Sequence, residues 1–291
     1  MPTVALATAP PRITLRSSPA VPYDGAIAAA RTCYSPRVIE RSEITDKQRD
    51  SIGPLTFDGG HHTVFQHAHF EFGLENISRQ LVWSVLHSYP FYNSEQSSQR
   101  YVKLNEPRAF VPPIDGEARA VYEAAVVRAW DRYAELSALL KDDALTILKD
   151  LRYVRPTTNP ERLKQIDKDA EKRAIETARY VIPIGAFTSM VHTVSGIVLH
   201  RLQRMVNTSD TPHEARVVIG EAFSRQASHI VNNYVATQRG QLQQQIKLAV
   251  SDGEKNKLQD QLNQLRREEQ VMNILIGAVV GVGGEIGRAH V

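Results

Sequence analysis

The chain has 291 residues, 42% hydrophobic and 23% charged, the make-up of a soluble globular protein with a sizeable core. Its net charge of +3 is small and its basic residues are spread out, which leaves room for a local anion site but gives no general nucleic-acid footprint. A single cysteine, Cys33, excludes an internal disulfide or a multi-cysteine metal site, and no signal-like or bilayer-length apolar run is present, so a cytoplasmic protein without nucleic-acid or membrane partners is expected.

Residues 12–17 alternate and predict an opening strand. Pro22 to Tyr34 reads as a helix, Thr45-Asp46 opens a second, and Gly59-Gly60 breaks the chain. Between His61 and Leu104 lie five of the ten histidines, an HH and an H-x-H pair among them, set between aromatic residues in the manner of a pocket wall. Ala68 to Leu74 alternates strictly and predicts a strand. Asn76 is expected to cap a helix to about Leu86, which Pro90 ends; residues 91–99 are expected as a loop before a short strand at Tyr101–Leu104. The proline-rich segment 105–115 reads as a linker.

From Gly116 the pattern is helical. Ala118, Tyr122, Ala125, Ala129, Tyr133, Leu136 and Leu140 recur at three- and four-residue steps, and a charged helix follows from about Glu161 to Tyr180. Pro183 is expected to start a long apolar helix through Phe187, Met190, Val194, Ile197, Leu202 and Met205, and Pro212 to Asn233 a further one. Gln241 to Gln270 is rich in Gln, Lys and Glu, with a turn at 251–253. Leu258, Leu262, Leu265, Met272, Ile276 and Val279 keep a 4-3 step interrupted only by Glu269. This predicts a helical hairpin or coiled-coil arm suited to self-association, or equally an amphipathic helix lying on its own domain.

Three chemistries can be weighed from residue types alone. No G-x-G-x-x-G follows a strand, so a Rossmann site is not supported. No His or Asp spacing makes a triad with a serine. His67, His69 and Glu71 share a strand face near His61-His62, but a polar solvent face explains them as simply as zinc does, and no metal site is assigned.

Four pieces in order resemble the flavin-dependent thymidylate synthase family: Ala28-Ala29-Ala30-Arg31-Thr32-Cys33-Tyr34-Ser35; His61-x-Thr63-x-Phe65-Gln66-His67 with Phe70 and Phe72; Ser98-x-Arg100-Tyr101; and Glu176-x-Ala178-Arg179-x-x-x-Pro183. The resemblance implies an α/β (α+β) fold with a small mixed or antiparallel sheet and long helices. It places a synthase-like domain over residues 1–238, with a C-terminal helical extension over 239–291. It implies a homotetramer that methylates dUMP reductively, using FAD with NADPH and methylenetetrahydrofolate. Ser98, Arg100, Arg179, Arg204 and Gln96 match substrate-binding positions, and His61, Thr63 and Glu95 match cofactor positions. Arginine suits the phosphate because its planar fork pairs with two oxygens; the bland alternative for Arg179 is a helix ion pair with Glu176, that for Ser98 a turn hydroxyl, and that for His61 a loop cap.

The chain departs from the family where its signature loop begins Arg-His-Arg, residues that help hold the flavin. Aligned back from Ser98, Ser88-Tyr89-Pro90 stands there, or His87-Ser88-Tyr89 with one insertion; only that insertion puts Glu95, rather than Gln96, at the loop's glutamate. Gln66 replaces a glutamate, Ser195 an asparagine, and Arg204 with His213-Glu214-Ala215-Arg216 matches the downstream pattern loosely. Two further readings follow: a non-catalytic pyrimidine-nucleotide-binding paralogue, and an enzyme acting on another pyrimidine nucleotide.

Overall fold

The computed structural model describes residues 5–19, 21–90, 92–206, 208–263 and 265–266. Strand β1 (Arg12–Ser17) precedes helix α1 (Pro22–Thr32), where proline occupies the first turn, and α2 (Asp46–Asp58). Thr45 and Gln48 form a reciprocal capping box at the start of α2. After a 3-10 turn over His62–His67 come β2 (His69–Ser78), a short helix α3 (Arg79–Leu81) continued by a π turn at Val82–Leu86, and β3 (Tyr92–Gln96). Two long helices, α4 (Gly116–Leu151) and α5 (Pro160–Ala178), lead to β4 (Phe187–Ser195), α6 (Gly196–Val206) and α7 (His213–Leu248). Residues 252–263 are again helical. The four strands make one small antiparallel sheet in the order β1-β2-β4-β3, so the expected mixture of a small sheet with long helices is what the chain forms.

Four expected elements differ. Asn76 caps no helix: it sits inside β2 at φ 56°, a left-handed conformation that asparagine tolerates, and shifts the in-out alternation so that Glu75 and Asn76 are both half-buried. Its amide donates to the Pro10 carbonyl at 3.2 Å and accepts from Arg108 at 3.1 Å. The cap is Ser78, whose hydroxyl accepts from the Leu81 N–H at 3.0 Å. The expected loop at 91–99 holds β3, and the expected strand at Tyr101–Leu104 is a turn and extended coil: Ser98 O accepts from the N–H groups of Tyr101 and Val102. The expected long helix from Pro183 is β4 followed by α6. Thr188, Met190, His192 and Val194 alternate as buried positions of a strand, although the same stretch also satisfies a three-four spacing. The strand gives way to helix at Gly196, whose N–H donates to Ala68 O at 2.7 Å and where a Cβ would lie 3.2 Å from that of Ala68.

The chain divides into two compact units. The first takes in residues up to Arg12, Glu75–Val85 and Glu95–Met190; the second takes in Ile13–Leu74, Leu86–Ser94 and the residues from Val191 on. In the first, α4 and α5 pair along their length, tied by Lys141–Asp167 at 3.0 Å and Arg152–Asp169 at 2.8 Å. Tyr133 packs with Ile175 and Ala178, while Val126 and Trp130 close on Ala109 and Ala186. In the second, Ile27, Ala28, Ile39 and Ile44 form one apolar cluster, beside which buried Asp24 takes the fork of Arg49 at 2.6 and 2.9 Å. Phe70 and Phe72 are fully buried, core residues rather than an open wall.

Helix α7 runs through position 238 without a break and ends at Leu248. Leu262 and Leu265 are buried within the single chain, as a helical hairpin and an amphipathic helix lying on its own domain both require. Glu269, Met272, Ile276 and Val279 lie outside the described residues.

Candidate functional site

Three segments of the first unit converge. Backbone bonds from Arg79 N to Ala186 O at 3.2 Å and from Gln80 N to Ile184 O at 3.0 Å join α3 to the segment after α5, and Ser97 N to Ser189 O at 2.9 Å brings in the end of β3. Gln96, Ser98, Arg100 and Arg179, four of the five expected substrate residues, therefore fall together. Glu95 lies exposed on β3 in the same unit. The Ser98 hydroxyl accepts from the Arg100 N–H at 3.2 Å, the turn role open to a serine here, and keeps its own proton to donate.

The charges in this cluster are unevenly matched. Glu176 lies three residues before Arg179 but does not pair with it: its carboxylate takes Arg100 Nε at 2.6 Å and Arg173 Nη1 at 3.0 Å. Desolvation works against ionisation of Glu176, yet Arg100 and then Arg173 outweigh it and hold its carboxyl below the usual range. Arg179, at the C-terminal cap of α5, has only the Tyr180 ring, 5.7 Å from its guanidinium carbon, and meets no carboxylate among the described residues. The helix ion pair weighed for Arg179 is thus taken by other partners.

A further arginine, not singled out in the sequence, belongs here. Arg79 donates to Gln96 Oε1 at 3.2 Å and Ser97 O at 2.6 Å, while its Nε is buried without an acceptor. Burial, and then the nearby charge of Arg179, push its pKa down from the usual arginine value. In the sequence it lies inside the helix expected from Asn76 to about Leu86 and in no motif, so nothing there marked it.

The remaining expected residues belong to the second unit. His61 follows Gly60 (φ 78°) and opens the 3-10 turn, but its side chain makes no capping bond and is exposed, as is Thr63. Beside them His62 Nε2 lies 3.1 Å from Phe57 O, and the Phe57 ring meets His62, Phe65 and His200 at centroid distances of 4.9, 5.7 and 5.4 Å. That aromatic group was not legible, because its members are up to 143 positions apart in the chain. Arg204 is exposed in the last turn of α6. Among the described residues no three His, Cys, Asp or Glu side chains form a metal site, and Glu71 faces Arg16 at 3.5 Å.

The altered loop has its own order. His87 stacks on Tyr92 with centroids 4.8 Å apart and planes 7° apart, and Tyr92 lies 5.8 Å from buried His192. Ser94 Oγ is 2.7 Å from His192 Nδ1, and burial, with a smaller push from His87, lowers the His192 pKa to about 4. His192 borders a small cavity otherwise lined by apolar side chains such as Phe72, Leu86 and Leu202.

Residues 21–229 match the profile of a family described as thymidylate synthase complementing protein. The flavin-dependent thymidylate synthase of Clostridium tetani is 28% identical over 203 residues, covering 68% of this chain and 74% of its own; that of Nitratidesulfovibrio vulgaris is 26% identical over 196 residues, covering 64% and 69%. Among solved structures, the UMP/dUMP methylase PolB from Streptomyces cacaoi, bound with 5-Br UMP, shares the fold at TM-score 0.50 and 15% identity, covering 81% of this chain and 97% of that one.

Proposed function

The chain belongs to the thymidylate synthase complementing protein family, and from that membership we propose that it is a flavin-dependent thymidylate synthase, methylating dUMP with methylenetetrahydrofolate as one-carbon donor and NADPH as reductant. The observation that carries this reading is the cluster around Arg179: a guanidinium that meets no carboxylate among the described residues, in the same compact unit as a serine hydroxyl still able to donate. A phosphate monoester supplies the missing negative charge, and a charge-assisted bond of this kind contributes about 1.5–3 kcal/mol. Arg179 and Ser98 hold the phosphate, Arg100 frames it from its pair with Glu176, and Gln96 orients the pyrimidine through its amide.

The flavin, when bound, supplies the hydride that the side chains themselves cannot. The residues of the second unit suit its ring: the group around Phe57 offers aromatic area for a planar heterocycle, and exposed His61 and Thr63 offer polar groups beside it. Glu95 and Arg204 serve the same reaction as cofactor-loop and secondary substrate contacts. The family assembly is a homotetramer, with residues 1–238 as the synthase domain and 239–291 as an extension.

Expression in a thymidine auxotroph tests the activity. Growth without thymidine is expected from the wild-type chain and not from Arg179→Ala. Repeated failure of well-expressed soluble wild-type protein would leave the readings as a nucleotide-binding paralogue or as an enzyme acting on another pyrimidine nucleotide.

A further inference from the structure

His192 of β4 is only 3% exposed, and its two ring nitrogens are placed differently. Nδ1 lies 2.7 Å from Ser94 Oγ on the neighbouring strand β3, whereas Nε2 is buried with no hydrogen-bond partner among the described residues. The ring borders a small cavity whose other walls are apolar, among them Phe72 and Leu74 of β2, Leu86, Leu202 of α6 and Val218 of α7. Tyr92 of β3 lies 5.8 Å from it, and His87 stacks on Tyr92 at 4.8 Å. The charged groups on the elements around it are engaged elsewhere or exposed. Glu71 of β2 faces Arg16, Glu95 of β3 is exposed, and Arg201 of α6 lies 6.0 Å from the Tyr89 ring. On α7, Glu221 pairs with Arg225, and buried Glu214 lies one turn before Val218. The one charge that acts on His192 is the like charge of His87. A proton added to the neutral ring makes both nitrogens donors: one is served by Ser94 Oγ, the other has no acceptor. Burial, and then His87, accordingly hold the His192 pKa down at about 4.

Of the two strands that this contact joins, β3 is the one free to leave. β4 lies between β2 and β3, whereas β3 is an edge strand of five residues with β4 as its one neighbour in the sheet. We propose that the contact between Ser94 and His192 is an acid-sensitive latch on the start of β3: while His192 is neutral, Tyr92 and Ser94 stay closed against it, and proton uptake by His192 releases them. Water then accepts from both ring N–H groups, which the closed arrangement does not allow. The closed form binds its proton only near pH 4, while the open form takes one up at the ordinary histidine value of about 6.5, so falling pH favours the open form. The opening constant rises about tenfold between pH 7.5 and 5.5 on these values. An edge strand opens at a lower free energy than the whole molecule, so the release takes place within an otherwise native fold. His87, Tyr92, Ser94 and His192 all belong to the second compact unit, and the latch stands apart from the nucleotide reading.

Hydrogen exchange of the full-length chain, followed by mass spectrometry from pH 7.5 to 5.5 and corrected for the intrinsic rate at each pH, reads this opening. Peptides covering β3 are expected to lose about tenfold in protection over that range, and to open at a lower free energy than global unfolding in denaturant. His192→Gln, which keeps a hydrogen-bonding side chain but takes up no proton, is expected to hold β3 protection constant within about twofold. Ser94→Ala should lower protection at every pH while keeping much the same dependence on pH. Wild-type protection that does not change with pH would overturn the latch. So would a loss in His192→Gln equal to that of the wild type, unchanged protection in Ser94→Ala, or β3 amides that exchange only through global unfolding. His192→Phe, apolar and unable to titrate, carries the comparison if His192→Gln does not fold.

Discussion

Glu176 brings one negative charge to a cluster of arginines, and its choice of partner decides which of them meets no carboxylate among the described residues. Because Arg100 and Arg173 occupy it, Arg179 is the cation whose removal should be felt in binding and not in folding. Arg179→Ala is expected to weaken dUMP by ten- to a hundredfold or more, at about 1.5–3 kcal/mol per charge-assisted bond, with a nearly unchanged thermal midpoint. Unaltered affinity by titration would remove Arg179 from the site. His192 makes a prediction in pH. Its folded-state pKa is about 4 and its unfolded value about 6.5, so between these values the unfolded chain binds the proton and the folded chain does not. Stability is therefore full above the unfolded value and lost as pH falls toward 4, by up to about 3 kcal/mol at 1.36 kcal/mol per unit. Denaturation midpoints followed from pH 7 to 4 should show this slope in the wild type and a flatter one in His192→Leu; equal slopes would mean that other groups carry the acid sensitivity. Motif spacing singled out Ser98, Arg100 and Arg179, which the fold brings into one unit, but not Arg79 or the charge pairing, since those depend on which distant side chains the folded backbone brings close.

Periodicity served well wherever one face alone is buried. The opening strand, the first two helices and the paired helices α4 and α5 form close to where the pattern put them. It failed where a segment satisfies two periods at once. From Phe187 onward the apolar residues fit both a helix and a strand followed by a helix, and the deciding feature is Gly196, which allows close backbone approach to Ala68. Gly196→Val is accordingly expected to destabilise the fold by about 1–3 kcal/mol through overpacking, read from chemical denaturation. A midpoint equal to wild type would show that the junction yields. Asn76 failed for a related reason: asparagine favours both helix caps and left-handed backbone, and sequence does not distinguish them. At φ 56°, Asn76→Ala should cost about 1–2 kcal/mol and Asn76→Gly less, because glycine keeps the conformation. If glycine costs as much as alanine, the side-chain bonds to Pro10 and Arg108 matter more than the backbone.

At the scale of the molecule, the fold and the family agree, and Gln96, Ser98, Arg100 and Arg179 lie inside one compact unit. The extension is a separate matter. With Leu262 and Leu265 already buried in the single chain, truncation after Leu248 is expected to lower stability while leaving the oligomer mass by light scattering that of the full chain. A smaller oligomer would show that the segment joins subunits instead. Whether the loop without Arg-His-Arg holds a flavin decides the account as a whole, and the visible absorption spectrum of the purified chain with added FAD, before and after dUMP, measures it most directly. The account predicts a protein-bound flavin band that dUMP perturbs in the wild type and not in Arg179→Ala. Protein that stays colourless with excess FAD would contradict it, whatever its affinity for the nucleotide.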